Sequence, residues 1–211
     1  IYVTSFLRKQ ILDRGLDKPI GKGRIWRIVP ENASPRQVPD LQGSDPIELA
    51  GHVTNPNGTI RDMAQRLLVE RSDPLAIQRL VELSKESALP RDRFRVLWTL
   101  DGMEAITIPD VLRASEDESP LVRSAAIRLG ERWIDDPAIE SMYRTLGSDP
   151  VESVRLQVIL SSSRRAGPRG IQFLLEMLYG SGPSRATRSA VIAGLAGRER
   201  EFLSLIQDGG I

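Results

Sequence analysis

Five arginines, Arg61, Arg93, Arg123, Arg155 and Arg188, recur at intervals of 32, 30, 32 and 33 residues. A guanidinium is a planar fork of N–H donors that matches a carboxylate or a phosphate at two points. Such a row either binds an anionic partner along one groove or holds the fold together. In the structural reading each stem packs on the next helix and each head bonds an aspartate or a carbonyl at a turn. Charge balance favours that reading. Residues 57–207 carry 21 Lys/Arg and 21 Asp/Glu, whereas a nucleic-acid-binding face shows a basic excess. Asp73 and Asp135 each lie twelve residues after a ladder arginine, Arg61 and Arg123, and are the expected partners across a helical hairpin. A second group, Arg164, Arg165, Arg169, Arg185 and Arg188, falls near two adjacent turns and is the most basic local stretch. It is the candidate interaction patch for an acidic domain or a phosphate, set against a reading as solvated loops.

Other residue types offer less chemistry. The acidic run Glu116–Asp117–Glu118 precedes Ser119, where negative charge suits a helix N-terminus, and it lacks the ligand spacing of a calcium loop. His52 is the single histidine and has no Ser–Asp constellation for triad chemistry. Cysteine is absent, which excludes disulfides, thiolate metal sites, cysteine nucleophiles and covalent haem attachment within this chain. No catalytic, metal-binding or cofactor-binding residue is assigned, and no cofactor is expected here. Trp98 and Trp133 sit on apolar helix faces and read as core. Asn32 and Asn57 each open a glycosylation sequon, a pattern common by chance.

The elements that position the arginines follow from a second periodicity. Pro56, Pro90, Pro120, Pro150 and Pro183 each precede a ladder arginine by three to five residues. Three residues after each arginine stands a small or aliphatic residue: Ala64, Val96, Ala126, Val158 and Val191. In SPLVRSAAIRLGERW (119–133), Ser119 reads as an N-cap and Pro120 as the first turn. Val122, Ala126 and Leu129 then share a face. DPVESVRLQVILSSS (149–163) repeats the pattern with Asp149 as cap. Second helices are predicted over 74–87, 137–147, 169–180 and 199–207. A hairpin of this length cannot bury its stripe alone, so several copies must stack. The predicted fold is all-α, an α-α superhelix of about five helix pairs over residues 57–211, with a short β or extended N-terminal segment. No run approaches the 18 apolar residues of a membrane span.

The first thirty residues read differently. IYVTSF (1–6) and GRIWRI (23–28) alternate like strands, with a short helix between them over 7–16. Residues 31–56 read as a proline-rich, semi-extended linker in which IELAGH (47–52) forms one helical turn. Two strands do not make a stable sheet. With Ile1 in place of Met and no signal-like segment, the chain is expected to be a piece of a longer protein.

The residues of SPLVRSAAIRLG resemble short HEAT-like repeats, of the kind also found in phycobilin lyase proteins. The stretch FLRKQILDRGLDKPIGKGRIWRIVPE, with its G-R-I-x-R-I strand at 23–28, resembles the end of the β-propeller in quinoprotein sugar dehydrogenase-like proteins of planctomycetes. NPNGTIRDMAQRLLVER (55–71) resembles the first helix after that propeller. The resemblance implies that 1–30 is the tail of a truncated propeller. It implies an exported or periplasmic parent, in which this chain links a dehydrogenase-like propeller to a cytochrome c domain. It places no functional residue in this chain, because the quinone-binding and haem-binding motifs of that family belong to the neighbouring domains. The chain is then a non-catalytic scaffold with protein partners, not nucleic acid or membrane. The alternatives are a free-standing protein-binding module and a HEAT-like DNA glycosylase using Trp133 and Asp135.

Overall fold

In the computed structural model, Asp13 and residues 38–165, 167–179 and 184–207 are described. The chain divides into two units, Ile1–Pro39 and Asp40–Ile211. Of the first, only the exposed, helical Asp13 and the segment at Val38 and Pro39 are described. The strands expected at 1–6 and 23–28 lie outside the described residues.

The second unit is built of eleven α-helices among the described residues: α1 Pro46–Gly51, α2 Gly58–Arg71, α3 Pro74–Glu86, α4 Pro90–Gly102, α5 Ile108–Ser115, α6 Pro120–Gly130, α7 Pro137–Leu146, α8 Glu152–Ser162, α9 Pro168–Tyr179, α10 Arg185–Gly194 and α11 Glu199–Gln207. Local chemistry sets their starts. Asp45, Asn57, Asp73 and Asp136 each accept a hydrogen bond from a backbone N–H of the helix they precede. Thr107 and Asp110 form a reciprocal capping box at α5. Prolines occupy the first turn of α1 and α3 through α7, where no N–H is missed. Four connections into second helices turn through a left-handed residue: Ser72 (φ 46°), Glu104 (φ 56°), Gly167 (φ 75°) and Gly197 (φ 80°). The α6–α7 connection instead uses a short 3-10 helix, Glu131–Trp133.

Five pairs result, as expected. First helices α2, α4, α6, α8 and α10 stack in order as one layer, and each second helix from α3 to α9 packs against the first helix of the next pair. The residue three after each ladder arginine is fully buried in this stack: Ala64, Val96, Ala126, Val158 and Val191. The next position, Leu97, Ile127 and Ile159, is 2%, 0% and 1% exposed, while its counterpart Ile192 in the last pair is 70% exposed. Gly170 tolerates no side chain, because a Cβ there would run into the Arg165 carbonyl.

One expectation is corrected and one helix is new. Residues 46–54 are not semi-extended linker. α1 and the 3-10 turn His52–Thr54 bring Leu49, Ala50 and Val53 into the core, and α1 packs on α3 as a second helix of a preceding pair would. Asp45 and Pro46 start this helix, so the proline is an N1 residue and not a breaker. The sequence also gave no expectation of a helix at α5, which is only eight residues long. Because Leu49 is core, Leu49→Ala should destabilise the protein by about 3 kcal/mol and lower the thermal midpoint by roughly 6–12 °C. A linker residue would leave the midpoint unchanged in calorimetry.

Candidate functional site

Successive helices run antiparallel, so the turns leading into first helices share one edge of the stack and the turns leading into second helices share the other. The ladder arginines stand on the former edge. Arg93 Nη1 donates to the carbonyls of Ser87 (2.8 Å) and Ala88 (3.2 Å) in the turn before its own helix. Its Nε and Nη2 donate to both oxygens of Asp117, at 2.7 and 2.8 Å, in the next turn along the edge. Arg123 repeats the arrangement. Nη1 takes the carbonyls of Asp117 and Glu118, both at 2.9 Å. Nε and Nη2 take Asp149 at 2.7 and 3.0 Å. Each aspartate also accepts the N–H two residues on, from Ser119 and from Val151, at 2.8 Å. One guanidinium thus ties its own turn to its neighbour's.

Among the described residues, Arg61 and Arg155 bond only the turn before their own helices. Arg61 binds the carbonyls of Asn55 and Pro56 through Nη1 at 2.8 and 3.0 Å, and its Nε is buried without an acceptor. Arg155 takes the carbonyls of Asp149 (2.6 Å) and Pro150 (3.1 Å). The acid of each complete rung stands six residues before the next ladder arginine. That position is Asn55 before Arg61 and Ser87 before Arg93, and neither carries a charge.

Electrostatics matches the geometry. Burial pushes the Asp117 carboxyl up, but the Arg93 guanidinium, the Ser119 N–H and the charge of Arg123 outweigh it and hold the group below its ordinary value. Asp149 behaves alike, with burial opposed by Arg123, the Val151 N–H and Arg155. The bond to Asp117 raises Arg93, and the bond to Asp149 raises Arg123, against burial.

The partners expected from spacing are not the partners found. Asp73 caps α3 through the Leu75 N–H at 2.8 Å, and Asp135 meets Arg165 at 3.2 Å. Both lie on the opposite edge from the ladder heads. Asp117, read as part of an acidic turn suited to a helix N-terminus, and Asp149, read as a cap, are the acceptors found. Ser119 supplies an N–H to Asp117 but makes no side-chain cap of its own. The signal for both is the fixed offset of six to the following arginine.

The five-arginine patch is not one surface. Arg164, Arg165 and Arg169 lie at the α8–α9 turn, while Arg185 and Arg188 open α10 on the other edge. The twelve residues of α9 set these turns about 18 Å apart. Arg165 is buried and donates to Asp135 at 3.2 Å and Glu140 at 2.8 Å. The Arg165 bond to Glu140, with that of Arg144, holds the Glu140 carboxyl below its ordinary value. Arg164 pairs with Glu131 at 3.2 Å, and Arg169, Arg185 and Arg188 are exposed. Arg198 extends this second edge, donating to the carbonyls of Arg165 (3.0 Å) and Gly167 (2.7 Å). His52 Nδ1 lies 3.5 Å from Asn55 Nδ2. Trp98 packs edge-on against Phe94 with centroids 6.2 Å apart. Arg132 sits 5.6 Å over the Trp133 ring. Among the described residues, no three His, Asp or Glu side chains are placed to share a metal ion.

A recess opens between two of the second helices. α1 packs on α3 and α5 packs on α7, but α3 and α5 touch far less. Between them opens a cleft of about 320 Å³, lined by Ser84, Lys85, Arg93, Leu97, Arg113, Ala114, Asp117, Glu118 and Val122. Arg113 spans it, donating to Ser84 Oγ at 2.9 Å and to Asp110 Oδ1 at 3.0 Å.

Two stability measurements test the ladder. Asp149→Ala leaves the Arg123 head without its carboxylate and should cost about 3 kcal/mol at neutral pH. A carboxyl held below its unfolded pKa stabilises the fold above about pH 4 and ceases to do so as pH falls through the lowered native value. In chemical denaturation the gap between Asp149→Ala and the parent should therefore close below about pH 4. Conversely, Ser87→Asp places an acid at the Arg61 rung and should stabilise the protein by about 1 kcal/mol, the scale of a net hydrogen bond. An unchanged midpoint would show that residue 87 does not complete that rung.

Comparison with known proteins agrees with this architecture. No curated protein matches the chain. A family model for HEAT repeats matches residues 108–196, from α5 through α10, so this part of the all-α solenoid is a HEAT-like repeat region.

Proposed function

We propose that this chain is a non-catalytic protein-interaction solenoid that holds neighbouring folded domains at a fixed spacing. The observation that carries the reading is where the charges go. On one edge Arg93 and Arg123 are each bound to two carbonyls and a bidentate aspartate. On the other, Arg165 and Arg198 tie successive turns together. Cations spent in this way stiffen a stack and leave it little free charge for phosphate, and repeat arrays of this kind present extended surfaces to partners. In this proposal the setting is a larger exported or periplasmic redox protein, with the chain linking a dehydrogenase-like propeller to a cytochrome c domain. The likeness of residues 1–30 and 55–71 to that family supports it. Quinone and haem would reside in those neighbours, and the partners are proteins rather than nucleic acid or membrane. The glycosylase reading loses support because Asp135 is engaged by Arg165 and Trp133 by Arg132.

The test has two arms. The flanking reading frame should encode a propeller upstream and a C-x-x-C-H motif downstream, and the separately produced neighbours should bind the chain in calorimetry. Duplex DNA should give no gel shift at physiological salt. Retention of DNA tighter than the roughly 10⁻⁶ M of non-specific binding, with release of an alkylated base, would overturn the reading.

A further inference from the structure

Each complete rung seats one aspartate between two ladder arginines. Asp117 gives its carboxylate to Arg93 and its carbonyl to Arg123, and Asp149 gives its carboxylate to Arg123 and its carbonyl to Arg155. In both, one carboxylate oxygen takes Nη2 and the N–H two residues on, and the other takes Nε. Ser87 holds the same place between Arg61 and Arg93. Its carbonyl accepts from Arg93 Nη1 at 2.8 Å, but its side chain has no carboxylate to offer Arg61. The matching donors are left over among the described residues. Arg61 Nε is buried without an acceptor. Both hydrogen bonds of Arg61 run through Nη1, so Nη2 is unengaged. The Leu89 N–H, two residues after Ser87, has no protein acceptor. The acids nearest along these turns pair elsewhere: Asp62 with Arg95 at 3.9 Å, Asp92 with Arg91 at 3.7 Å and Glu86 with Arg79 at 3.4 Å. Nη2, unlike Nε, is not enclosed, and Gly58 stands beside it, where a Cβ would come within 3.4 Å.

Resting on the reading as a protein-interaction solenoid, we infer that the Arg61 rung is completed from outside, by an Asp or Glu carboxylate of a partner protein. The filled rungs of this chain define what fits, a planar acceptor that meets the guanidinium fork at two points. Entry is over Nη2, where one oxygen also takes the Leu89 N–H. Seating the second oxygen on Nε requires the groups that cover it to shift, and a buried donor without an acceptor favours that shift. The head costs little to order on binding, because two carbonyls already hold it. Leu89 is 47% exposed beside the rung, and a peptide carrying the acid covers it where a free anion would not. The partner thus supplies what a turn of this chain supplies at Arg93 and Arg123.

The probe is the capped dipeptide acetyl-Leu-Asp-amide, titrated into the isotope-labelled full chain and followed through the Arg61 Nε–H and Leu89 amide resonances. Both should move saturably, the Nε–H downfield, as a proton donated to a carboxylate does. Acetyl-Leu-Asn-amide should bind at least about tenfold more weakly, the scale of a hydrogen bond to a charged group. Ser87→Asp brings the acid from within the chain. It should move both resonances without peptide and weaken the dipeptide by a similar factor. Ser87→Ala leaves Arg61 unpaired and should bind as the parent does. The inference is overturned by the absence of saturable shifts, by equal binding of the Asp and Asn dipeptides, by parental affinity in Ser87→Asp, or by acetate binding as tightly as the dipeptide. Binding of whole neighbouring domains is scored separately in calorimetry, so a failed dipeptide removes this site without removing the scaffold reading.

Discussion

At the centre of this solenoid two successive joints, at Arg93 and Arg123, are each made by a guanidinium that must satisfy five N–H donors and offers no acceptor. Helix–helix packing alone fixes a distance and an approximate crossing angle, and it leaves adjacent pairs free to slide by a fraction of a turn. The Arg93 and Arg123 heads remove that freedom. Two carbonyls hold each head on its own turn, and a bidentate aspartate on the following turn accepts from it in a planar geometry that tolerates little displacement. Because the aspartate also accepts the N–H two residues on, the second turn is shaped by the same carboxylate that receives the arginine. Removing either partner disturbs two turns at once, which makes these rungs more consequential than surface ion pairs such as Arg66–Glu70.

The hairpins were legible in the sequence because their determinants are local. Proline in the first turn, a small residue three after the arginine and an aliphatic stripe all act within a single helix. Periodicity then required the helices to stack. What sequence spacing could not supply was the partner of each arginine. A hairpin viewed alone puts the opposite edge twelve residues away, which pointed to Asp73 and Asp135. The side chain instead reaches sideways to the next repeat, 24 residues on for Asp117 and 26 for Asp149. The same geometry explains the arginine patch. Adjacency along the chain brought Arg164, Arg165 and Arg169 next to Arg185 and Arg188, and an intervening helix set the two groups on opposite edges. The α1 segment was misread for a different reason. Its proline and short length resemble a loop, and its burial comes from α3, which no local signal announces.

The two edges use the same residue in unlike ways. On the ladder edge, arginine bridges turns through a repeating position. On the other edge the bridges are irregular: Arg71 to the Gln42 and Ser44 carbonyls, Arg132 to Asp101, Arg164 to Glu131, Arg165 to Asp135 and Glu140, and Arg198 to the Arg165 and Gly167 carbonyls. Connections on this edge vary in conformation, from single left-handed residues to a 3-10 turn, so no one offset can serve them all. The regular edge accordingly reads out in the sequence and the irregular edge does not.

Nearest-neighbour construction also sets where the stack is weakest. An interior pair is covered on both sides, and its residue four after the ladder arginine vanishes from the surface at Leu97, Ile127 and Ile159. Among the described residues the α10–α11 pair is covered on one side. Ile192 is exposed, α11 contributes no buried residue, and Leu203 and Ile206 face outward. Its packing rests on a separate small cluster around Ile171, Leu174, Val191 and Leu195. In an array whose stability is a sum of such interfaces, the described contacts of the α10–α11 pair contribute less than those of the centre. The segment held by complete rungs, from Arg93 to Asp149, is the stiff part of the molecule. The cleft between α3 and α5 lies against that stiff part, where Arg93 and Asp117 form its end wall.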